Sequence, residues 1–184
     1  MLNSLVGIIA SSGGAAGGGS YESIASATGT GSSGTITFSS IPSTYASLQI
    51  RGIAFNSVSD YLILRVNSDS GTNYSRHFLH GTGVGVAAGA STSTTGFRFD
   101  NLNLGTSSTF GDVFIIDLHN YASTTQNKTM RAIAGIDTNG DGQVTLSSSA
   151  WLNTSAITSV TISVVNGNSF TTNTQVALYG IKGA

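Results

Sequence analysis

Apolar and polar residues alternate with a period of two along most of the chain from Tyr21 onward, the pattern of half-buried β-strands. The clearest stretch runs from Ser47 to Asn67. Leu48, Ile50 and Ala54 share one side with Leu62, Leu64 and Val66, while Gln49, Arg51, Ile53, Ile63 and Arg65 take the other. Asn56, Ser57, Ser59 and Asp60 between them suit a chain reversal, so the stretch predicts an antiparallel hairpin beside which other strands are laid. Further strands are expected at Tyr21–Ala27, Thr35–Ser39, Tyr74–His80, Thr95–Asn101, Asp112–His119, Thr129–Ile136, Val144–Leu146, Val160–Val165 and Gln175–Ile181. Turn clusters such as SDSGTN, DTNGDG and VNGNS separate them. No segment carries a 3.6-residue period long enough for a substantial helix; Ser149–Ile157 has room for a single turn, with Trp151 as a core anchor. Short strands at this spacing predict an all-β fold, an antiparallel β-sandwich of jelly-roll-like type.

Residues 1–20 differ from the rest. Leu5 to Ala10 is a short apolar run, and the glycines from Gly13 to Gly19 form a flexible linker. No Lys or Arg precedes Arg51, and LVGIIA is short for the apolar core of a secretory signal and far too short to span a bilayer. The organisation expected is therefore an N-terminal arm over 1–20 and one β-sandwich domain over 21–184. The arm either docks its apolar tip on a neighbouring subunit or is a simple tail.

Two predicted strands are apolar on both faces. In DVFIIDLH, Phe114, Ile116 and Leu118 oppose Val113 and Ile115; in the next strand, Met130 and Ile136 oppose Ile133. An antiparallel strand in a two-layer sandwich ordinarily keeps one wet face, so the second face needs a cover. With no helices to supply one, the expected cover is another subunit, in a closed ring such as a trimer. The expected interface comprises Val113, Ile115, Asp117, Arg131 and Ile133, and Asp117 with Arg51, Arg65 or Arg131 is expected to form a buried ion pair or an interface pair.

Composition supports association. Charged residues make up 8% of the 184, about a third of the usual share, and the net charge is −1. This excludes an electrostatic footprint for nucleic acid or an anionic membrane. A monomer with so sparse a charge would be poorly soluble, whereas a surface covered by partners would not. Glycine numbers 24, proline one and cysteine none, so packing and the sheet ladder must stabilise the fold without disulfides.

Candidate chemistry is thin. Asp137, Asn139 and Asp141 in DTNGDG match the first ligands of a calcium loop, but position twelve is Ser148, where a bidentate Glu is required. A hairpin turn built from residues that tolerate positive φ is the preferred alternative. His77 and His80, three apart on a strand, point to opposite faces and make no paired metal site with each other. The carboxylates fall mostly in turns, and no G-x-S-x-G elbow is present, so no enzyme and no cofactor are expected. The tyrosines and Trp151 fit either glycan stacking or core packing. Gly81–Thr95, GTGVGVAAGASTSTT, is expected to be a long mobile loop.

Several segments also carry a resemblance. MLNSLVGIIASSGG, SYESIASATG, IPSTYASLQIRGIA, LRVNSDSGTNYSRHFLHG, AWLNTSAITS and QVALYGIKGA, in this order over nearly the whole chain, resemble a widespread group of uncharacterised phage proteins encoded among virion structural genes, notably in phages of aquatic bacteria. The resemblance implies a virion location, as a capsid decoration (cement) protein or a tail-fibre-like component. It brings no catalytic motif. As a decoration protein the chain would bind the major capsid protein across capsomers, with Leu2, Leu5, Val6, Ile8 and Ile9 of the arm as anchors. As a tail component it would present a β-sandwich to host surface glycan.

Overall fold

In the computed structural model, the described residues are 20–58, 60–99 and 109–183. Among them there is no helix. Twelve strands form two antiparallel sheets: β1 (Tyr21–Thr28), β2 (Thr35–Phe38), β3 (Ser47–Ala54), β4 (Leu62–Val66), β5 (Tyr74–Gly81), β6 (Val86–Thr94), β7 (Phe97–Arg98), β8 (Asp112–His119), β9 (Lys128–Asp137), β10 (Gly142–Trp151), β11 (Val160–Val164) and β12 (Gln175–Ile181). The larger sheet has the order β1-β12-β3-β8-β9-β10-β5-β6 and the smaller β2-β11-β4-β7.

This order contains a jelly roll. The quartets β1-β12-β3-β8 and β2-β11-β4-β7 have nested partners, and the chain changes sheet at each step from β1 to β4 and again from β7 to β8 and from β11 to β12. Two hairpins, β5–β6 and β9–β10, are inserted into this frame, and both extend the same side of the larger sheet.

The core follows from the alternation. From the larger sheet Leu48, Ile50, Phe114, Ile116, Leu118, Met130 and Leu178 point inward, and from the smaller Ile36, Phe38, Leu62, Leu64, Val66, Val160 and Ile162 meet them. Phe97, Phe99 and Phe114 bridge the two layers, with ring centres 4.9 and 6.2 Å apart in succession. Towards the inserted hairpins the inward residues become small or polar: Ala132, Ala134, Thr145, Ser147 and Ser149.

Polar side chains tie the connections to this core. Asp60 is buried, and its carboxylate accepts from the Asn166 backbone N–H (2.9 Å), Asn166 Nδ2 (2.8 Å), Asn168 Nδ2 (3.1 Å) and the Tyr61 N–H (2.7 Å). Asp69 accepts from Trp151 Nε1 at 2.7 Å, and that bond, with one from Asn73, holds its carboxyl below the usual carboxylate range. The Tyr74 hydroxyl accepts from the Val66 N–H and donates to the Asp69 carbonyl, and burial pushes its pKa up to about 12. The Lys128 ammonium is buried and donates to the carbonyls of Gln126 and Thr154; its burial lowers its pKa.

Four expectations are corrected. β3 and β4 are consecutive, but they are not a hairpin: β3 pairs with β12 and β8, and β4 with β11 and β7, in opposite sheets. Alternation reports which side of a strand is buried and not which strand lies beside it. Gly81–Thr95 is not a loop, since most of it is β6, whose small residues have little intrinsic strand preference. Strand β10 extends well past Val144–Leu146 on both sides, its alternation masked by the inward Thr145, Ser147 and Ser149. Ser149–Trp151 belongs to that strand, so no helical turn forms there, although Trp151 is a buried anchor as expected.

Replacing Asp60 by Ala removes a buried carboxylate that gathers three amide donors of the β11–β12 connection, two on the exposed Asn166 and one on the half-buried Asn168. The expected loss is about 3 kcal/mol of unfolding free energy in a urea titration. A loss below about 0.5 kcal/mol would show that the cradle does not anchor that connection.

Candidate functional site

The outer face of the larger sheet carries the feature most unusual for a sandwich. Register aligns the outward residues of successive strands into rows. One row reads Ala177, Arg51, Ile115, Ile133, Leu146, Leu79 and Ala88 across β12, β3, β8, β9, β10, β5 and β6. The row beside it reads Gln175, Ile53, Val113, Gly135, Val144, Gly81 and Val86. Ile115, Leu79, Leu146, Ile133, Val113 and Val144 are between 37% and 55% exposed, so a stripe of branched side chains faces outward, uncovered by the described residues. Over β1, β12, β3, β8 and β9 the surface sinks into a shallow depression of about 990 Å³, walled by Ile53, Val113, Ile115 and Ile133. Gly135 helps to keep it open: a Cβ there would lie 2.9 Å from the Gln143 carbonyl oxygen.

A polar chain borders this stripe. Arg51 Nε donates to Gln49 Oε1, Gln49 Nε2 donates to Asp117 Oδ1 at 2.7 Å, and Arg131 donates to Asp117 Oδ2 at 2.8 Å. Burial works to raise the Asp117 pKa, but the bonds from Gln49 and Arg131 outweigh it and hold the carboxyl below its ordinary value. Arg131 is largely solvated, so the ion pair itself contributes little to stability. At the other end of the chain the Arg51 guanidinium lies 5.0 Å from the Tyr21 ring centre and 5.6 Å from that of Tyr179.

The five residues expected at an interface, Val113, Ile115, Asp117, Arg131 and Ile133, are thus brought together on one face of β8 and β9. The ion pair takes Arg131, not Arg51 or Arg65, because Asp117 and Arg131 stand directly opposite on adjacent strands. Val144, Leu146, Leu79 and Val86 extend the same stripe and were not predicted for it. The sequence offered the alternation of Val144 and Leu146 but not the strand that places Leu79 next to them. The Tyr21–Arg51–Tyr179 stack joins residues far apart in the chain and had no local signal.

The remaining candidates separate. Asp137, Asn139 and Asp141 lie at the β9–β10 turn, where the chain reverses at Asn139 and Gly140, both with positive φ (61° and 135°). The carboxylates serve the turn: Asp137 Oδ1 accepts the Asn139 N–H and Asp141 Oδ1 the Gly142 N–H, each at 2.8 Å. Among the described residues no group of three or more His, Asp and Glu side chains stands close enough to hold a metal ion. His77 faces outward and His80 takes the opposite side of β5, while His119 lies three strands from His77 and meets Ser47 Oγ at 3.0 Å. Of the aromatics, Trp151, Tyr74 and Tyr121 are core, and Tyr21 is the most exposed tyrosine. The arm anchors Leu2, Leu5, Val6, Ile8 and Ile9 lie outside the described residues.

Comparison of the chain with protein-family models returns no match, and neither does comparison with curated proteins.

The Asp117 shift has a sign that can be measured. A carboxylate whose pKa is depressed by folding adds stability above its unfolded value, and that stability is lost as pH falls through the folded value. The stability difference between the parent and Asp117→Asn is expected to stay constant from neutrality down to about pH 5 and to shrink below it, as read by urea titrations at each pH. A difference that grows on acidification would contradict the assignment.

Proposed function

We propose that the protein is a phage virion structural protein, a capsid decoration (cement) protein that assembles as a homotrimer through the outer face of β8 and β9. The observation that carries the self-association is the outward stripe of Val113, Ile115, Ile133, Val144 and Leu146. Exposed branched side chains contiguous over several strands mark a binding face, and their burial yields about 25 cal/mol per Å² before the costs of association. The virion role is supported by the sequence resemblance and by analogy with the jelly rolls of viral capsid proteins. In this role residues 1–20 contact the major capsid protein, and repetition over the shell turns weak individual contacts into mechanical reinforcement.

A second reading, a tail or receptor-binding module for host glycan, is favoured by one feature. The Tyr21–Arg51–Tyr179 stack sits at the rim of the depression and pairs aromatic faces with a hydrogen-bond donor, as sugar recognition requires.

A density map of the virion is expected to show the protein at three-fold or quasi-three-fold positions of the head. Density confined to the tail would overturn the decoration role and favour the second reading. In solution, Ile115→Asp combined with Ile133→Asp is expected to abolish the three-fold contact, seen by light scattering as the loss of species with multiples of three chains. An unchanged mass would refute the face as the interface.

A further inference from the structure

Among the described residues four strands stand at the edges of the two sheets, and they are not alike. Unpaired strand edges invite pairing with other chains, and proteins commonly blunt them by shortness, charge or bulges. In the smaller sheet β2 has four residues and β7 two. In the larger sheet β1 carries an irregularity between Ser23 and Ala25 and the Glu22–Lys182 ion pair at 2.9 Å. The remaining edge, β6, is long and uncharged, and its one irregularity is confined to the Ser91–Thr94 end, where Ser93 has positive φ (54°). Its nine residues, VAAGASTST, contain no charge and no proline, and its register with β5 is regular from Arg76 to Gly81.

From these contrasts we infer that β6 is a second self-association surface, pairing antiparallel with β6 of another copy about a two-fold axis. A two-fold contact places a strand against itself, so any charge on it would confront its own copy. An uncharged strand of small side chains meets that condition, and a partner recognised by charge would find nothing on it to read. Val86, Ala88 and Ala90 lie on the outer face; Val86 falls in the row of Val144, Ala88 in the row of Leu146 and Leu79, and Ala90 opposite His77. Pairing at β6 therefore continues the apolar stripe from one copy to the next as well as the hydrogen-bond ladder. Val84, 98% exposed at the tip of the β5–β6 turn, would gain cover from the same neighbour. The contact is separate from the three-fold one on β8 and β9 and stands whether or not the virion reading holds.

The experiment uses the full chain carrying Ile115→Asp and Ile133→Asp, which removes the other proposed contact. Sedimentation at micromolar concentration is expected to show a dimer. Adding Ala88→Lys with Ala90→Lys, or Ala88→Glu with Ala90→Glu, is expected to give a monomer in each case, since both positions are exposed and the substitutions set like charges against each other. Mixing the Lys and Glu forms is expected to restore the dimer. A monomeric starting variant, Lys and Glu forms that stay dimeric, or a mixture that stays monomeric would overturn pairing at β6. Failure of the three-fold contact is read separately, from the effect of the two Asp substitutions on the parent's mass.

Discussion

A sheet of eight strands packed on a sheet of four is the constraint from which the other features follow. The smaller sheet covers the jelly-roll quartet, and there the facing residues are the large Leu, Ile and Phe side chains of a sandwich core. Beyond β8 the larger sheet continues without an equal partner. Beyond the end where Met130, Trp151 and Tyr74 still join the core, its inward residues shrink to Ala132, Ala134, Thr145, Ser147 and Ser149, while its outward ones, Ile133, Val144, Leu146 and Leu79, are the kind that usually points inward. The extension thus reverses the ordinary polarity of a sheet. It is this reversal, more than any single residue, that marks the outer face for association.

The chain has no cysteine to close its connections with a disulfide, and buried or half-buried polar side chains do that work instead. Asp60 gathers the β11–β12 connection, Asp69 joins the β4–β5 turn to Trp151, and Asn67 holds the segment before β11 through Ala156, Thr158 and Ser159. Each is satisfied by several donors or acceptors, without which its burial would be unfavourable. Asp60 and Asp69 are met by neutral N–H donors, and Lys128 by carbonyl oxygens. Among the described residues the bonds at these three charged side chains come from neutral N–H groups or go to carbonyl oxygens.

Much of this was legible in the sequence. Alternation located most strands to within a few residues, and the double apolarity of DVFIIDLH exposed the unusual face of β8 before any geometry was known. Partnership was not legible. The stretch from Ser47 to Asn67 has the appearance of a hairpin, because a strand half-buried in one sheet has the same pattern as one half-buried in the other. Strand β6 was hidden for a different reason: a strand of Val, Ala, Gly, Ser and Thr carries almost no periodic signal, and only its ladder with β5 identifies it. The Asn139-Gly140 turn was readable because both residues tolerate positive φ and the calcium pattern lacked its last ligand.

The two inserted hairpins bear on how the molecule assembles itself. Hairpin β5–β6 joins the larger sheet only through β10, and β10 joins it only through β9, which pairs with β8. A hairpin early in the chain must therefore wait for one that emerges much later, because until then there is no sheet edge at which it belongs. During synthesis β5 and β6 would stand apart with both edges open, and the slow step in forming the larger sheet would be the capture of an early segment by a late one. The order of the strands in space is not the order in which they can be laid down.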